Sequence, residues 1–296
     1  MIGRAAAWAA ALTTLACGSA ALAEGADYYR GGWRTASGEP HIYEFVIDGA
    51  KLSGIACTQC SDGTTLARIE GRFSEADGLT FTVRHLKSDG TLTGEDHLRA
   101  RLANGRLLVT GTKAGGGAVN QVTIKDPRGP APSAFPVAIL PPGAPPVPIV
   151  RNAGGGGGGG PPPAYVPPAP WRTISSADVV GVWLGFGTGM DKQYFLIRKD
   201  GDRLFGLACG RCDNPYTFGA LENFRIEGDT LTFDIEHQDW GDGTVLPFPR
   251  HVTAHIAMNE MRIDARRPDQ ANRPGIVSSL LGPIAIEATK GNVVGN

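Results

Sequence analysis

The sequence predicts an all-β protein made of two tandem antiparallel up-and-down β-barrels, or flattened sandwiches, of about eight short strands each. The segment 52–60, LSGIACTQC, returns as 204–212, LFGLACGRC, so a C-x-x-C pair occupies the same place in two copies. Each copy is a series of short apolar stretches between turn residues, and none keeps a helical period over ten residues. Closing such a meander into a barrel removes its exposed strand edges.

In the first copy, eight stretches have the length and composition of strands. They lie near residues 32–35, 42–47, 52–57, 66–73, 79–86, 97–102, 107–112 and 119–124. Asp-Gly or Asn-Gly dipeptides at 48–49, 77–78, 89–90 and 104–105 supply the positive φ angles that tight hairpins require. The second copy repeats this order, since LTFDIEH at 231–237 corresponds to LTFTVRH at 79–85. The copies therefore predict the same fold.

The chain divides into four segments. Residues 1–23 are predicted to be a signal peptide, because a basic start and an apolar stretch precede an A-x-A site before Glu24. Residues 24–126 and 171–296 form the two barrels. The segment 127–170 holds 15 of the 22 prolines and seven consecutive glycines, which predicts a disordered Pro/Gly-rich linker. Such a linker predicts that the copies move independently, unless a surface on one complements the other.

The N-terminal segment predicts export to the periplasm or the exterior. A second interpretation makes Cys17 the acylated start of a lipoprotein, but Thr14 replaces the branched apolar residue expected there. No later segment is apolar over the ~20 residues that a spanning helix needs. The net charge is −1 and the basic residues are scattered, so a nucleic-acid partner is not expected. The partner is an unidentified small ligand or protein, and the oligomeric state stays open.

A short motif opens the first strand of each copy. Gly31-Gly32-Trp33 and Gly181-Val182-Trp183 have the pattern G-x-W. This pattern resembles the opening signature of lipocalins and related calycin barrels. The resemblance implies a ligand-holding barrel, whereas the shortness of the strands favours a lumen filled by side chains. Each tryptophan is expected to plug one end of its barrel.

Four cysteines remain after removal of the signal peptide: Cys57, Cys60, Cys209 and Cys212. An oxidising compartment favours a disulfide inside each C-x-x-C turn, as a local brace. The alternative is a metal site in which both pairs hold one zinc or iron ion and clamp the copies together. Thioredoxin-like redox chemistry and haem attachment fit poorly, because turn residues follow each pair and no histidine comes directly after it.

Strand alternation assigns the histidines to faces of the predicted barrels. His85 and His237 extend the inward apolar rows of their strands, whereas His97 and His251 lie opposite such rows. The same alternation can place Ile55 and Cys57, and also Phe205, Leu207 and Cys209, on the inward face of the third strand. A shared interior Cys2His2 metal site is therefore disfavoured. His41 and His255 have no counterpart in the other copy and are expected to be surface residues.

His85 and His237 each have two interpretations. Either could be a core-edge residue bonded to a backbone carbonyl, or the polar anchor of a small pocket at a barrel mouth beside the cysteine turn. Asp239 and Trp240 follow His237 and are candidate ligand-binding residues. The first copy has Leu86-Lys87-Ser88 at these positions, so any ligand role is expected to differ between the copies.

Three functions are compatible with the sequence. The favoured one is an exported non-catalytic binding or interaction protein built from two barrels, which gains avidity from its two copies. The second is a metal-binding protein that uses both cysteine pairs. The third is an enzyme with a site at a barrel mouth near His237. No catalytic residue is proposed, because the common hydrolase, metalloprotease and phosphate-binding motifs are absent from the sequence.

Overall fold

The computed structural model describes residues 25–125, 171–185, 193–210, 212, 214–236, 249–268 and 275–291. Its first unit is a closed antiparallel barrel in which each strand pairs with the next and the eighth pairs with the first. The strands are β1 (Gly31–Ser37), β2 (Ile42–Asp48), β3 (Lys51–Cys57), β4 (Ala67–Ser74), β5 (Gly78–Leu86), β6 (Leu92–Ala103), β7 (Arg106–Thr112) and β8 (Ala118–Ile124). All eight predicted strands are confirmed.

The second unit is a closed barrel with the same strand order. Its strands are β9 (Gly181–Gly185), β10 (Gln193–Asp200), β11 (Arg203–Cys209), β12 (Phe218–Glu227), β13 (Thr230–Glu236), β14 (Arg250–Ala257), β15 (Glu260–Arg266) and β16 (Ile276–Ile284). The barrel closes where β16 pairs with β9. The prediction of two up-and-down barrels is therefore confirmed.

A single helical turn closes one end of each barrel. The helices are α1 (Ala26–Tyr29) and α2 (Ser176–Val179). The indole Nε1 of Trp33 donates to the carbonyl of Tyr29, and that of Trp183 donates to the carbonyl of Val179, both at 2.8 Å. Both tryptophans are buried. Each therefore packs at the closed end of its barrel while its polar atom is satisfied, as the sequence predicts.

Side chains fill the first barrel below its open end. Tyr43, Phe45 and Phe81 pack with their ring centroids 5.3–6.1 Å apart. The surrounding cluster includes Leu52, on β3, and Val83, on β5. The expectation of a filled lumen is confirmed for this part of the barrel, and a cavity lies toward the end opposite α1, where it is lined by His41 and His85.

The two barrels pack against each other through the outer faces of β3 and β11. Leu52 and Ala56 belong to the interior cluster of the first barrel, whereas Ile55 and Cys57 lie in a separate cluster with residues of the second barrel. Phe205, Leu207 and Cys209 occupy the corresponding place on β11. The prediction that these residues face inward was wrong. Both faces of each strand are buried, so hydrophobic alternation could not identify the lumen side.

An ion-pair cluster adds to the contact between the barrels. Asp200 of β10 accepts hydrogen bonds from Arg68 Nε at 2.8 Å and from Arg84 Nε at 2.7 Å. Ser53 donates to Glu222 Oε2 across the same junction at 2.7 Å. The two copies therefore carry complementary surfaces, and the barrels dock on each other instead of moving independently.

The predicted signal peptide, including Cys17, and the predicted linker lie outside the described residues. So do His237, Asp239 and Trp240. None of the helices in the described ranges has the length and apolar character needed to cross a membrane.

Candidate functional site

His85 lies at the open end of the first barrel, close to the end of β5. Its Nε2 is 2.9 Å from Asp96 Oδ2. An ionised carboxylate can only accept, so Nε2 carries a hydrogen, and in the neutral form of the imidazole Nδ1 is an acceptor. Asp96 is held in turn by the backbone N–H of Ala114 at 2.9 Å, and the carbonyl of His85 accepts from the Thr93 hydroxyl at 3.0 Å. The imidazole is thus fixed at the mouth.

Asp96 belongs to the candidate site, although the sequence analysis did not select it. It stands two residues before Leu98, at the head of the inward row formed by Leu98, Ala100 and Leu102, and it pairs with Val83 in the β5–β6 ladder. An acidic residue on an inward row was the available signal, because a buried carboxylate needs a partner. His85 is that partner.

His41 lies on the other side of the open end, half-buried, and not on the surface as predicted. Its ring stacks on Tyr43 with the centroids 5.7 Å apart. Tyr43 donates its hydroxyl to Gln121 Oε1 at 2.7 Å, and Gln121 Nε2 is 3.0 Å from His41 Nδ1. Nδ1 also lies 3.4 Å from the Glu39 carbonyl, but the Gln121 contact is the shorter one; with the Gln121 amide donating, His41 Nδ1 accepts and Nε2 carries the hydrogen. This buried chain of hydrogen bonds sets the tautomer of His41.

Burial also fixes the charge of His41. Loss of solvation lowers the pKa of this imidazole, and the backbone carbonyl and carboxylate of Glu39 offset only part of that effect. His41 is therefore neutral at physiological pH. The open end then presents an N–H donor from His41 and a bare nitrogen acceptor from His85, neither of which has a hydrogen-bond partner among the described residues.

The two imidazoles border a cavity of about 280 Å³, here called the mouth. Its lining combines hydroxyl-bearing side chains with carbon surface: His41, Ala56, Cys57, Thr58, Thr64, Thr65, Leu66, Ala67, His85, Leu86 and Thr93. Within the described part of the chain, this lining contains no carboxylate, ammonium or guanidinium group. The mouth is thus a small concave site with apolar walls and a few fixed polar groups, which are general properties of small-molecule sites.

Two walls of the mouth come from segments next to the cysteine turn. The turn wall is residues 63–67, which include the 3₁₀ turn Gly63–Thr65 and the start of β4. Asp62 caps this turn by accepting from the backbone N–H of Thr64 at 2.9 Å. The hairpin wall is residues 86–91, between β5 and β6, closed by the bond from Lys87 N to the Thr91 carbonyl at 2.9 Å.

Both cysteine pairs lie within disulfide distance. The Cα atoms are 5.2 Å apart for Cys57 and Cys60, and 5.0 Å apart for Cys209 and Cys212. All four residues are buried in the cluster between the barrels. In the parts of the chain that the structure describes, no group of three or more His, Cys, Asp or Glu side chains could hold a metal ion. The geometry thus favours a brace inside each turn over a shared metal clamp.

His97 and His251 lie on outer surfaces, as predicted. His97 Nδ1 is 3.3 Å from the Thr82 hydroxyl, and His251 Nδ1 is 2.5 Å from Asp234 Oδ1. His255 is partly buried and stacks on Trp171 with the centroids 5.2 Å apart. None of them lines the mouth of the first barrel.

His237, the counterpart of His85 in the repeat, lies outside the described residues. The chain matches no protein-family model, and neither a curated protein nor a solved structure matches it. What the protein binds is therefore inferred from the geometry of the first mouth.

Proposed function

We propose that the protein is an exported, non-catalytic binding protein and that the mouth of its first barrel holds a small uncharged molecule. The observation that carries this proposal is the fixed pair of imidazole nitrogens, one donor and one acceptor, at the edge of the cavity. A C-x-x-C disulfide braces each barrel in this proposal, and the predicted signal peptide accounts for export. The kinship with lipocalins suggested by G-x-W belongs to the same proposal.

The charge of the ligand follows from the lining. A charged group that enters a partly buried site without a counterion loses hydration that nothing replaces. His41 is neutral, and the neutral form of His85, which keeps Nδ1 as an acceptor, brings no positive charge to the mouth. A hydroxyl or amide group can instead accept from His41 Nε2 and donate to His85 Nδ1. The carbon surface of Ala56, Leu66 and Leu86 suits an apolar part of the same molecule.

The proposal can be tested by backbone amide NMR of the chain without residues 1–23. Benzyl alcohol and benzamide serve as neutral probes, and benzoate and benzylamine as charged probes of similar size. We expect the neutral probes to shift the amide signals of Thr58, Thr65 and Thr93, with little response to the charged ones. If no neutral probe shifts these signals, or if charged probes bind as well, the proposal is wrong.

Matched variants locate the binding site. His85→Ala should weaken benzyl alcohol binding about fivefold, since it removes one hydrogen bond worth about 1 kcal/mol. Thr58→Trp places a large ring at the exposed rim and should block the mouth without touching Asp96. His97→Ala, on the outer face of the same barrel, should leave the dissociation constant unchanged.

A further inference from the structure

The first barrel does not form its mouth alone, because an arginine of the second barrel reaches into the junction beneath it. Arg198 lies on the outer face of β10 and is 1% exposed. Its Nη1 donates to the carbonyls of Thr64, at 3.2 Å, and Leu66. Its Nη2 donates to the carbonyls of Leu86 and Lys87, each at 2.8 Å. One guanidinium therefore holds both the turn wall and the hairpin wall.

These carbonyls lie where the sheet of the first barrel stops. The ladder between β4 and β5 runs only as far as the pair Arg68–Arg84. Beyond that pair, the two segments separate to form the walls of the mouth. Buried carbonyls that have left a ladder need other donors, and Arg198 supplies them. The guanidinium thus takes the place of the next rungs of the sheet and sets the distance between the walls.

The C-terminal turn of the second barrel holds the same wall from below. The backbone N–H of Gly63 donates to Thr289 Oγ1 at 2.8 Å, and the N–H of Gly291 donates to Asp62 Oδ2 at 3.0 Å. A methyl group added at Gly63 would lie 3.1 Å from a Leu196 methyl carbon. The turn wall is therefore positioned by close packing and by hydrogen bonds from the second barrel.

Arginine is the side chain that this junction requires. It offers five N–H donors in a planar fork, whereas lysine offers one compact ammonium group. Burial lowers the pKa of Arg198 to about 10, although the charges of Glu287 and Asp62 oppose this shift. The group therefore stays protonated at neutral pH. The corresponding residue of the first barrel is Val46, since Val46 pairs with Ser53 and Arg198 pairs with Phe205. Arg198 is therefore not a residue that the two copies share.

We infer that Arg198 is a positioning residue for the ligand site of the other barrel, and that the second barrel completes that site. The inference rests on the proposed function. The second barrel then acts as the support that fixes the spacing of the two walls in the first, independently of any ligand of its own. Binding at the mouth and the contact that Arg198 makes with the walls are consequently coupled, and each stabilises the other.

The test uses Arg198→Lys and Arg198→Met, with Asp200→Asn as the matched control. Asp200 also bridges the barrels, but it contacts arginine side chains and not the carbonyls of the walls. Two quantities are measured on the whole chain: amide hydrogen exchange at Leu66 and Lys87, and the dissociation constant for benzyl alcohol. Both amides donate within their own wall, to Gly63 and Thr91, and they report its order without any ligand.

We expect exchange at both amides to become at least about tenfold faster in Arg198→Lys, and benzyl alcohol to bind at least about fivefold more weakly, since wall hydrogen bonds of about 1 kcal/mol each are lost. Asp200→Asn should lower the melting temperature but leave both quantities within about twofold of the wild type. Arg198→Met should act in the same direction as Arg198→Lys. The lysine variant keeps the charge, so the test does not depend on whether the methionine variant folds.

The inference is overturned if Arg198→Lys leaves exchange and affinity unchanged, or if Asp200→Asn changes them equally. Failure of the proposed function gives a different result. In that case benzyl alcohol would not bind even to the wild type, while hydrogen exchange would still show whether Arg198 holds the walls.

Discussion

The β2–β3 hairpin of the first barrel and the β10–β11 hairpin of the second have the same register and opposite surroundings. Asp48 pairs with Lys51, and Asp200 pairs with Arg203, at the same rung. Asp48 is exposed, whereas Asp200 is buried between two arginines of the first barrel. The ladder is thus common to both copies, and the difference lies in which outward-facing side chains each copy carries.

The positions that bind Asp200 in the first barrel also differ from the corresponding positions in the second barrel. Arg68 and Arg84 form a ladder pair in the first barrel, and the corresponding pair in the second is Ala220 and Glu236. Asp48 would therefore find no pair of arginines at that place if the roles of the barrels were exchanged. The inward positions therefore maintain the barrel in both copies, while a few outward positions make the docking one-directional.

The largest effect should come from a glycine that both copies share. A Cβ at Gly54 would lie 1.9 Å from the Glu44 carbonyl oxygen, and its φ is +143°; a Cβ at Gly206 would lie 2.3 Å from the Leu196 carbonyl oxygen. Gly54→Ala should therefore cost more than about 4 kcal/mol of unfolding free energy, measured by urea denaturation. Gly115→Ala, where no atom lies within 4 Å, is the control. Near wild-type stability of Gly54→Ala would contradict the close approach of β2 and β3.

A smaller effect should separate the two hairpins. Burial raises the pKa of Asp200, but the hydrogen bonds from Arg84 and Arg68 outweigh it and bring the pKa below its usual value. Asp200→Asn should lower the unfolding free energy by about 3 kcal/mol, because Arg68 and Arg84 both lose charge-assisted hydrogen bonds to the buried carboxylate that they share and keep Glu70 and Glu95 as partners. Asp48→Asn should have almost no effect. Equal losses in the two variants, measured by thermal unfolding, would mean that the barrels do not depend on this contact.

The smallest effect concerns the carboxyl group of Glu236, where the first barrel has Arg84. Burial, together with the charges of Asp234 and Glu222, raises the pKa of Glu236 to about 7. The folded protein then binds this proton more tightly than the unfolded chain. Its contribution to stability is complete below about pH 4, near the unfolded pKa, and is lost as the pH rises through about 7.

Glu236→Gln should therefore remove part of the decline in stability between pH 4 and pH 8, on the order of 1 kcal/mol. Urea denaturation across this range, compared with the exposed-site variant Glu227→Gln, measures the difference in slope. The lowered pKa of His41 acts in the opposite direction, so the slopes of variant and wild type must be compared directly. Identical slopes would exclude a raised pKa at Glu236.

The sequence was sufficient to predict the barrels, because the apolar stretches, the turn dipeptides and the repeat all reflect local backbone requirements. It also placed His85 at the end of an inward row beside the cysteine turn. It could not assign the faces of β3, since the second barrel buries the outer one. Asp96 and His41 were missed because their partners, His85 and Gln121, are brought to them only by the strand register.

Arg198 shows most clearly why a contact between domains escapes sequence reasoning. In the stretch Ile197-Arg198-Lys199-Asp200 it resembles any charged residue at the solvent-facing end of a strand. Its partners are backbone carbonyls more than 100 positions earlier. A carbonyl has no side-chain signature, so no composition, spacing or charge pattern in the first copy indicates that an arginine is needed there.

The contacts of the last turn, Ile286–Thr289, have a consequence for the order in which the molecule is made. Domains generally fold as units during synthesis, the N-terminal one first. The first barrel can close its sheet as soon as β8, which ends at Ile124, has emerged, yet the bond from Gly63 to Thr289 must wait for 165 further residues. A nascent chain therefore carries a finished barrel with an unfinished mouth. Translation arrested before residue 286 would yield a folded first barrel that lacks this support.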